Sequence, residues 1–85
     1  MDFEWDPAKN VANKAKHGIG FESFTGWDDE AIVIPDDRFD YGEPRLIAFG
    51  RIDGRPHAMV YTKRESTTRL ISFRRAREEE IGRYE

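Results

Sequence analysis

The sequence predicts an α+β fold: a small antiparallel sheet with helices packed against it. Three observations carry this. Four short apolar segments follow one another between residues 31 and 73, separated by turn-forming residues. Consecutive strands on short connections pair antiparallel. A segment with helix signals at both ends precedes them, and a charged segment of helical composition follows them. A chain of 85 residues is expected to form one domain, spanning 1–85.

The elements follow in order. "FEW" at 3–5 has the composition of a short edge strand. Residues 7–17 predict a helix, with Asp6 as its N-cap, Pro7 in its first turn and Gly18 at its exit. Ala8, Val11, Ala12 and Ala15 recur at i, i+3, i+4 and i+7, so this small-residue side is expected to pack on the sheet. Phe21, Phe24 and Trp27 are spaced by three, which predicts one or two further helical turns, and "DDE" at 28–30 reads as a solvated run. "AIVIP" is a buried strand stopped by Pro35, and "DDRFDYGEP" is a loop. "RLIAFGRI" and "RPHAMVYT" flank Asp53-Gly54, a two-residue type I′ hairpin signal. "KRESTT" is the next turn and "RLISF" the last strand, with Arg69 on the face opposite Leu70. The glycines, Gly50 included, are expected at turns. "RRAREEEIGRYE" is expected to close the chain as a helix.

Composition narrows the function. There are no cysteines, which excludes a disulfide framework and cysteine-based zinc. "MDFEWD" lacks the pattern of a secretory signal, and no apolar run approaches a membrane span. A soluble cytoplasmic protein is expected, with no membrane association. The net charge is −3, yet residues 57–77 hold six Lys/Arg against one acid. An anionic ligand meets local potential, not total charge.

Within that basic block, Arg74 and Arg75 are expected at the start of the terminal helix. Free N–H groups there favour an anion, whereas an arginine opposes the dipole. The competing reading is a self-paired surface helix, Arg75 with Glu79 and Arg77 with Glu78 or Glu80. His17 also has two readings. It can stabilise the end of the first helix as a cation beside Lys16, or serve as a proton-transfer group, because its reference pKa lies nearest neutrality. Taken together, a histidine, a lysine and several arginines suit RNA cleavage by the substrate's own 2′-hydroxyl, which needs a base, an acid and cations but no metal. Trp5, Trp27, Tyr61 and Tyr84 are candidates for base stacking or for the core. The carboxylates at 28–30 and 36–37 lack the spacing of a metal site, so no metal and no cofactor is expected.

"FEWDPAKNVANKAKHGIGFE", "YTKRE" and "RLISFRRAREEEIGRYE" together resemble the BrnT family of toxins, nearly end to end. The match departs at Phe73, where the family pattern has a small residue. The resemblance implies a RelE-like fold and a ribonuclease that inhibits translation, acting on RNA that is free or ribosome-associated. It implies as partner a BrnA-type antitoxin, a ribbon-helix-helix protein that neutralises the toxin and alone contacts operator DNA. The matching positions are Lys16, His17, Arg64, Arg69, Ser72, Arg74 and Arg75. Of these, His17, Arg64 and Arg74 are the expected catalytic residues. Lys16, Arg69, Ser72 and Arg75, with Tyr84, are the expected RNA contacts. The alternative is a non-catalytic binding module that serves as co-repressor for the ribbon-helix-helix partner.

Overall fold

The computed structural model describes every residue except Met1, Phe39 and Tyr41. The last two belong to the loop expected at 36–44 and so lie outside the described residues. The elements are β1 (Asp2–Glu4), α1 (Pro7–His17), a single 3₁₀ turn (Phe21–Ser23), β2 (Ile32–Pro35), β3 (Leu46–Ile52), β4 (Arg55–Arg64), β5 (Thr67–Arg75) and α2 (Glu78–Gly82). The five strands form one sheet in the order β1-β5-β4-β3-β2. β2 to β5 pair antiparallel, as consecutive strands on short turns should. β1 instead joins β5 in parallel; the two are far apart in sequence, so no short turn forces them antiparallel. The sheet is therefore mixed, not wholly antiparallel.

Helix α1 begins and ends as its sequence signals require. Asp6 accepts from the Ala8 N–H at 2.9 Å. Gly18 takes the left-handed conformation, φ 78°, and its N–H returns to the Lys14 carbonyl. Its buried side is the reverse of the expected one. Ala8, Val11, Ala12 and Ala15 are exposed, whereas Asn13 is buried and Asn10 and His17 are half-buried. The cause is where the helix lies. The Phe73 N–H donates to Asn13 Oδ1 at 3.1 Å, and Asn13 Nδ2 donates to the Phe73 carbonyl at 2.7 Å. Both backbone groups of Phe73 thus point away from β4, out of the edge of the sheet that β1 covers further up the strand. Backbone groups at an edge need polar partners. An amide supplies a donor and an acceptor together, as an aliphatic side chain cannot.

One layer of the core lies on the sheet face that holds Met59, Leu70 and Phe73, with Phe21 buried against them and Trp5, Ile19, Phe24 and Trp27 around the margin. Trp27 lies flat on β3, where a Cβ at Gly50 would come within 2.5 Å of its ring. Gly50 is therefore a strand residue that admits a tryptophan, not a turn. The other layer is Ile47, Phe49 and Ala58 with Ile81 of α2.

Two departures from the expected pattern decide which side chains meet. The pairing of β4 with β5 shifts register between Val60 and Tyr61, leaving Ile71 as an extra residue. This bulge puts Leu70 and Phe73 on the same face, where simple alternation from Leu70 would separate them. It leaves Arg69, Ser72 and Arg74 on the other face. Secondly, β5 runs on through Arg75, and α2 is only five residues long. Arg74 and Arg75 are strand residues, not the start of a helix. The run at 28–30 is exposed, as expected of a solvated segment, but its first residue also has a structural role. Asp28 accepts from the N–H groups of Asp53 and Gly54 at 2.9 and 2.8 Å, both of which have positive φ in the type I′ turn. Those bonds hold the Asp28 carboxyl below its usual range.

Candidate active site

The bulged face of β5 and the last turn of α1 enclose a basic pocket. Its floor is apolar: Ile47, Ala58 and Val60 from β3 and β4. Ser72 and Arg74 enter from β5, and Lys16 and His17 from α1. Arg38 and Arg45 close it from the β2–β3 loop, with Asp36 the one carboxylate among the lining residues. The cavity measures about 250 Å³.

The guanidinium groups of the pocket are positioned by identifiable contacts. Asp36 is buried and receives the Arg38 guanidinium through two bonds, 2.8 Å from Nε and 3.0 Å from Nη2. Glu43 lies 3.6 Å from Arg45 and 3.2 Å from Arg64, tying the pocket's edge to the end of β4. Arg74 makes a fork with Glu80 of α2, at 3.1 and 3.0 Å. That fork, with a bond from the Arg77 backbone N–H, pulls the Glu80 carboxyl down to about 2. Such paired bonds fix the plane of a guanidinium as well as its place.

His17 differs from these. Partial burial lowers its pKa from 6.5, and the nearby charges of Lys16 and then Arg74 lower it further. The ring is therefore mainly neutral at pH 7. A neutral ring can accept a proton. Gly18 already closes the helix without the histidine.

The structure thus brings Lys16, His17, Ser72 and Arg74 together. Arg64 shares their sheet face but pairs with Thr67, six positions along β4 from Ala58, the partner of Arg74. At the rise of a β-strand that is roughly 20 Å. Arg69 lies on the same face, 3.5 Å from Glu4. Tyr84 stacks on Phe49, ring centres 4.9 Å apart, outside the pocket. Arg75 faces the other side of the sheet, opposite His57. Trp5 packs on Phe21, Trp27 on Phe24, and Tyr61 borders the apolar layer. Arg38 and Arg45 do not stand out in the sequence, because they fall outside the basic block, and Asp36 stands out there only as one of two adjacent carboxylates without metal-site spacing. The signal that points to them is the antiparallel pairing of β2 with β3, which carries their connecting loop to one end of the sheet.

An α+β sheet thus gathers lysine, guanidinium and imidazole over an apolar floor, a set of groups chemically suited to an anionic ligand such as a phosphodiester. Comparison with known families narrows that reading. A family model described as "Ribonuclease toxin, BrnT, of type II toxin-antitoxin system" matches residues 5–80, and the chain belongs to this family. Membership makes it a ribonuclease toxin of a type II toxin–antitoxin pair, which implies an antitoxin partner. No curated protein matches the sequence. No helix among the described residues is long and apolar enough to cross a membrane.

Proposed function

We propose that residues 1–85 form one RelE-like catalytic unit that cleaves RNA through its 2′-hydroxyl without a metal and so inhibits translation in the cytoplasm. The observation that carries this is the gathering of the His17 imidazole with Lys16, Ser72 and Arg74 in one basic pocket. His17 takes the 2′-hydroxyl proton as that oxygen attacks phosphorus. The bond to the 5′ oxygen breaks, leaving a 2′,3′-cyclic phosphate, and a proton from solvent water passes to the departing oxygen, the resulting hydroxide being neutralised by the proton His17 took up. Arg74 and Lys16 stabilise the charge that gathers on the phosphate, and Ser72 bonds its oxygens. Arg64 and Arg69 lie further along the same face and hold the flanking chain, with Tyr84 at its margin. A BrnA-type ribbon-helix-helix antitoxin neutralises the toxin and carries the pair to operator DNA.

The test is cleavage of an RNA oligonucleotide in EDTA by the purified chain, with antitoxin binding followed in parallel. His17→Ala and Arg74→Gln are each expected to lose at least about 10²-fold in rate while antitoxin still binds. On the acid side, the rate should fall as His17 takes up a proton, with a midpoint below 6.5. Intact RNA from the unsubstituted chain, with antitoxin binding retained, would establish the co-repressor reading instead.

A further inference from the structure

The pleat that sends Arg74 to the basic pocket sends Arg75 to the opposite face. There Arg75 stands directly across from His57, and Arg55 precedes His57 by two residues, so all three side chains share that face. They line a second cavity, of about 350 Å³, at the hairpin end of the sheet. Ser23 adds a hydroxyl, Ile52 and Phe73 an apolar wall, and Asp53 the only carboxylate among the lining residues.

Two features of this cavity go beyond what the fold requires. The first is His57, which is buried. Its Nδ1 lies 2.8 Å from the Arg55 carbonyl oxygen. A carbonyl only accepts, so Nδ1 carries the hydrogen. The ring is also stacked on Phe73, with centres 5.5 Å apart. Nε2 makes no hydrogen bond to any of the described residues, and the fixed ring borders the cavity. The second feature is the state of the guanidinium groups. Seven of the ten arginines are in ion pairs. Arg55, Arg75 and Arg83 make none with the described residues, and two of these three meet at one cavity. An acidic chain offers carboxylates freely, yet these two exposed cations border the cavity beside an oriented imidazole with no acid among the described residues bonded to either.

We infer that this cavity is a phosphate-binding site, separate from the catalytic pocket and on the other side of the sheet. Arg55 and Arg75 bond the phosphate oxygens, and His57 Nε2, an acceptor because the hydrogen sits on Nδ1, takes a hydrogen bond from an O–H of a phosphate monoester or of a ribose beside the phosphate. The ligand is a phosphate ester, either a free monoester or a phosphate of an RNA chain. The site does not depend on the ribonuclease reading.

The protein has two histidines, one in each cavity, so the imidazole NMR signals of His57 and His17 report the two sites separately. The chain is titrated with inorganic phosphate, with a nucleoside monophosphate and with an uncleavable 2′-deoxy oligonucleotide. Inorganic phosphate should shift the His57 signal saturably. The Arg55→Gln/Arg75→Gln double variant should weaken that binding at least tenfold, while Arg83→Gln and Arg74→Gln leave it unchanged. An unaltered His17 signal in the double variant verifies its fold. A response to the monophosphate but not the oligonucleotide identifies a small-molecule site. Oligonucleotide affinity that falls in the double variant identifies an RNA contact. Absence of a saturable His57 shift, or a shift that survives the double substitution, overturns the site. RNA cleavage by the double variant is measured separately, so a failed ribonuclease reading leaves this result standing.

Discussion

The two helices are attached to the same sheet by opposite means. Helix α2 is held conventionally, by an apolar anchor and surface charge. Ile81 is buried among Ile47, Phe49 and Ala58, while Glu78 and Glu85 both reach Arg51 and Glu80 reaches Arg74. Helix α1 turns its apolar side to solvent and attaches through amides. Asn13 bonds both backbone groups of Phe73 and the Ile19 carbonyl, and Asn10 bonds the Phe21 N–H and Glu22. The difference follows from what each helix meets. A sheet face is a surface of side chains and is covered by burying carbon. A sheet edge is a row of N–H and C=O groups and is covered by matching them.

The sharpest test of this contrast is Asn13→Leu. If α1 were held by burial, a leucine at the centre of its inner side would be tolerated. If it is held by amide matching, the substitution leaves the Phe73 N–H and C=O buried without partners, at about 1–3 kcal/mol each. The expected loss is therefore roughly 2–6 kcal/mol, a large share of the stability of a chain this small. Urea denaturation measures it. A loss under about 1 kcal/mol would remove the distinction between the helices.

On α2 the corresponding contact is ionic, and it is read through pH. The Glu80 carboxyl falls from 4.5 to about 2 in the folded chain. A depressed folded pKa adds stability above the unfolded value, and that stability is lost as pH falls through the window from 4.5 towards 2. Glu80→Gln should flatten this part of the stability–pH curve while leaving neutral-pH stability only modestly reduced, since the pair is partly solvated. Thermal unfolding midpoints at a series of pH values test this. An unchanged acid slope would mean that the Arg74 fork does not persist in solution.

The same contrast marks how far the sequence can be read. Local signals are legible: the Asp6 cap, the Gly18 exit and the Asp53-Gly54 hairpin all stand where composition and spacing put them. So does the order of the strands, since four apolar runs on short turns leave few topologies. The parallel β1 and the inverted face of α1 are not legible, because both depend on which edge of the sheet is left open, and no local pattern encodes that. The bulge at Ile71 is hidden for a related reason. One extra residue in β5 is visible only against the register of β4. The site is affected accordingly. Lys16, His17, Ser72 and Arg74 do meet, but a helix start would keep together two arginines, Arg74 and Arg75, that a strand pleat drives apart.

The smallest expected effect discriminates most cleanly between periodicity and position. Periodicity makes Val11 a core residue, and converting it to lysine would then cost about 1.5–3 kcal/mol in lost burial alone. The structure leaves Val11 69% exposed, so almost no apolar area is lost. Valine is also a weaker helix former than lysine, because its branched side chain loses freedom against the preceding turn. The two effects leave Val11→Lys within about 0.5 kcal/mol of the parent, on the stabilising side. Urea unfolding of the isolated toxin measures this directly. A loss above about 1.5 kcal/mol would put the small-residue side of α1 back against the sheet, and Asn13 could not then reach Phe73.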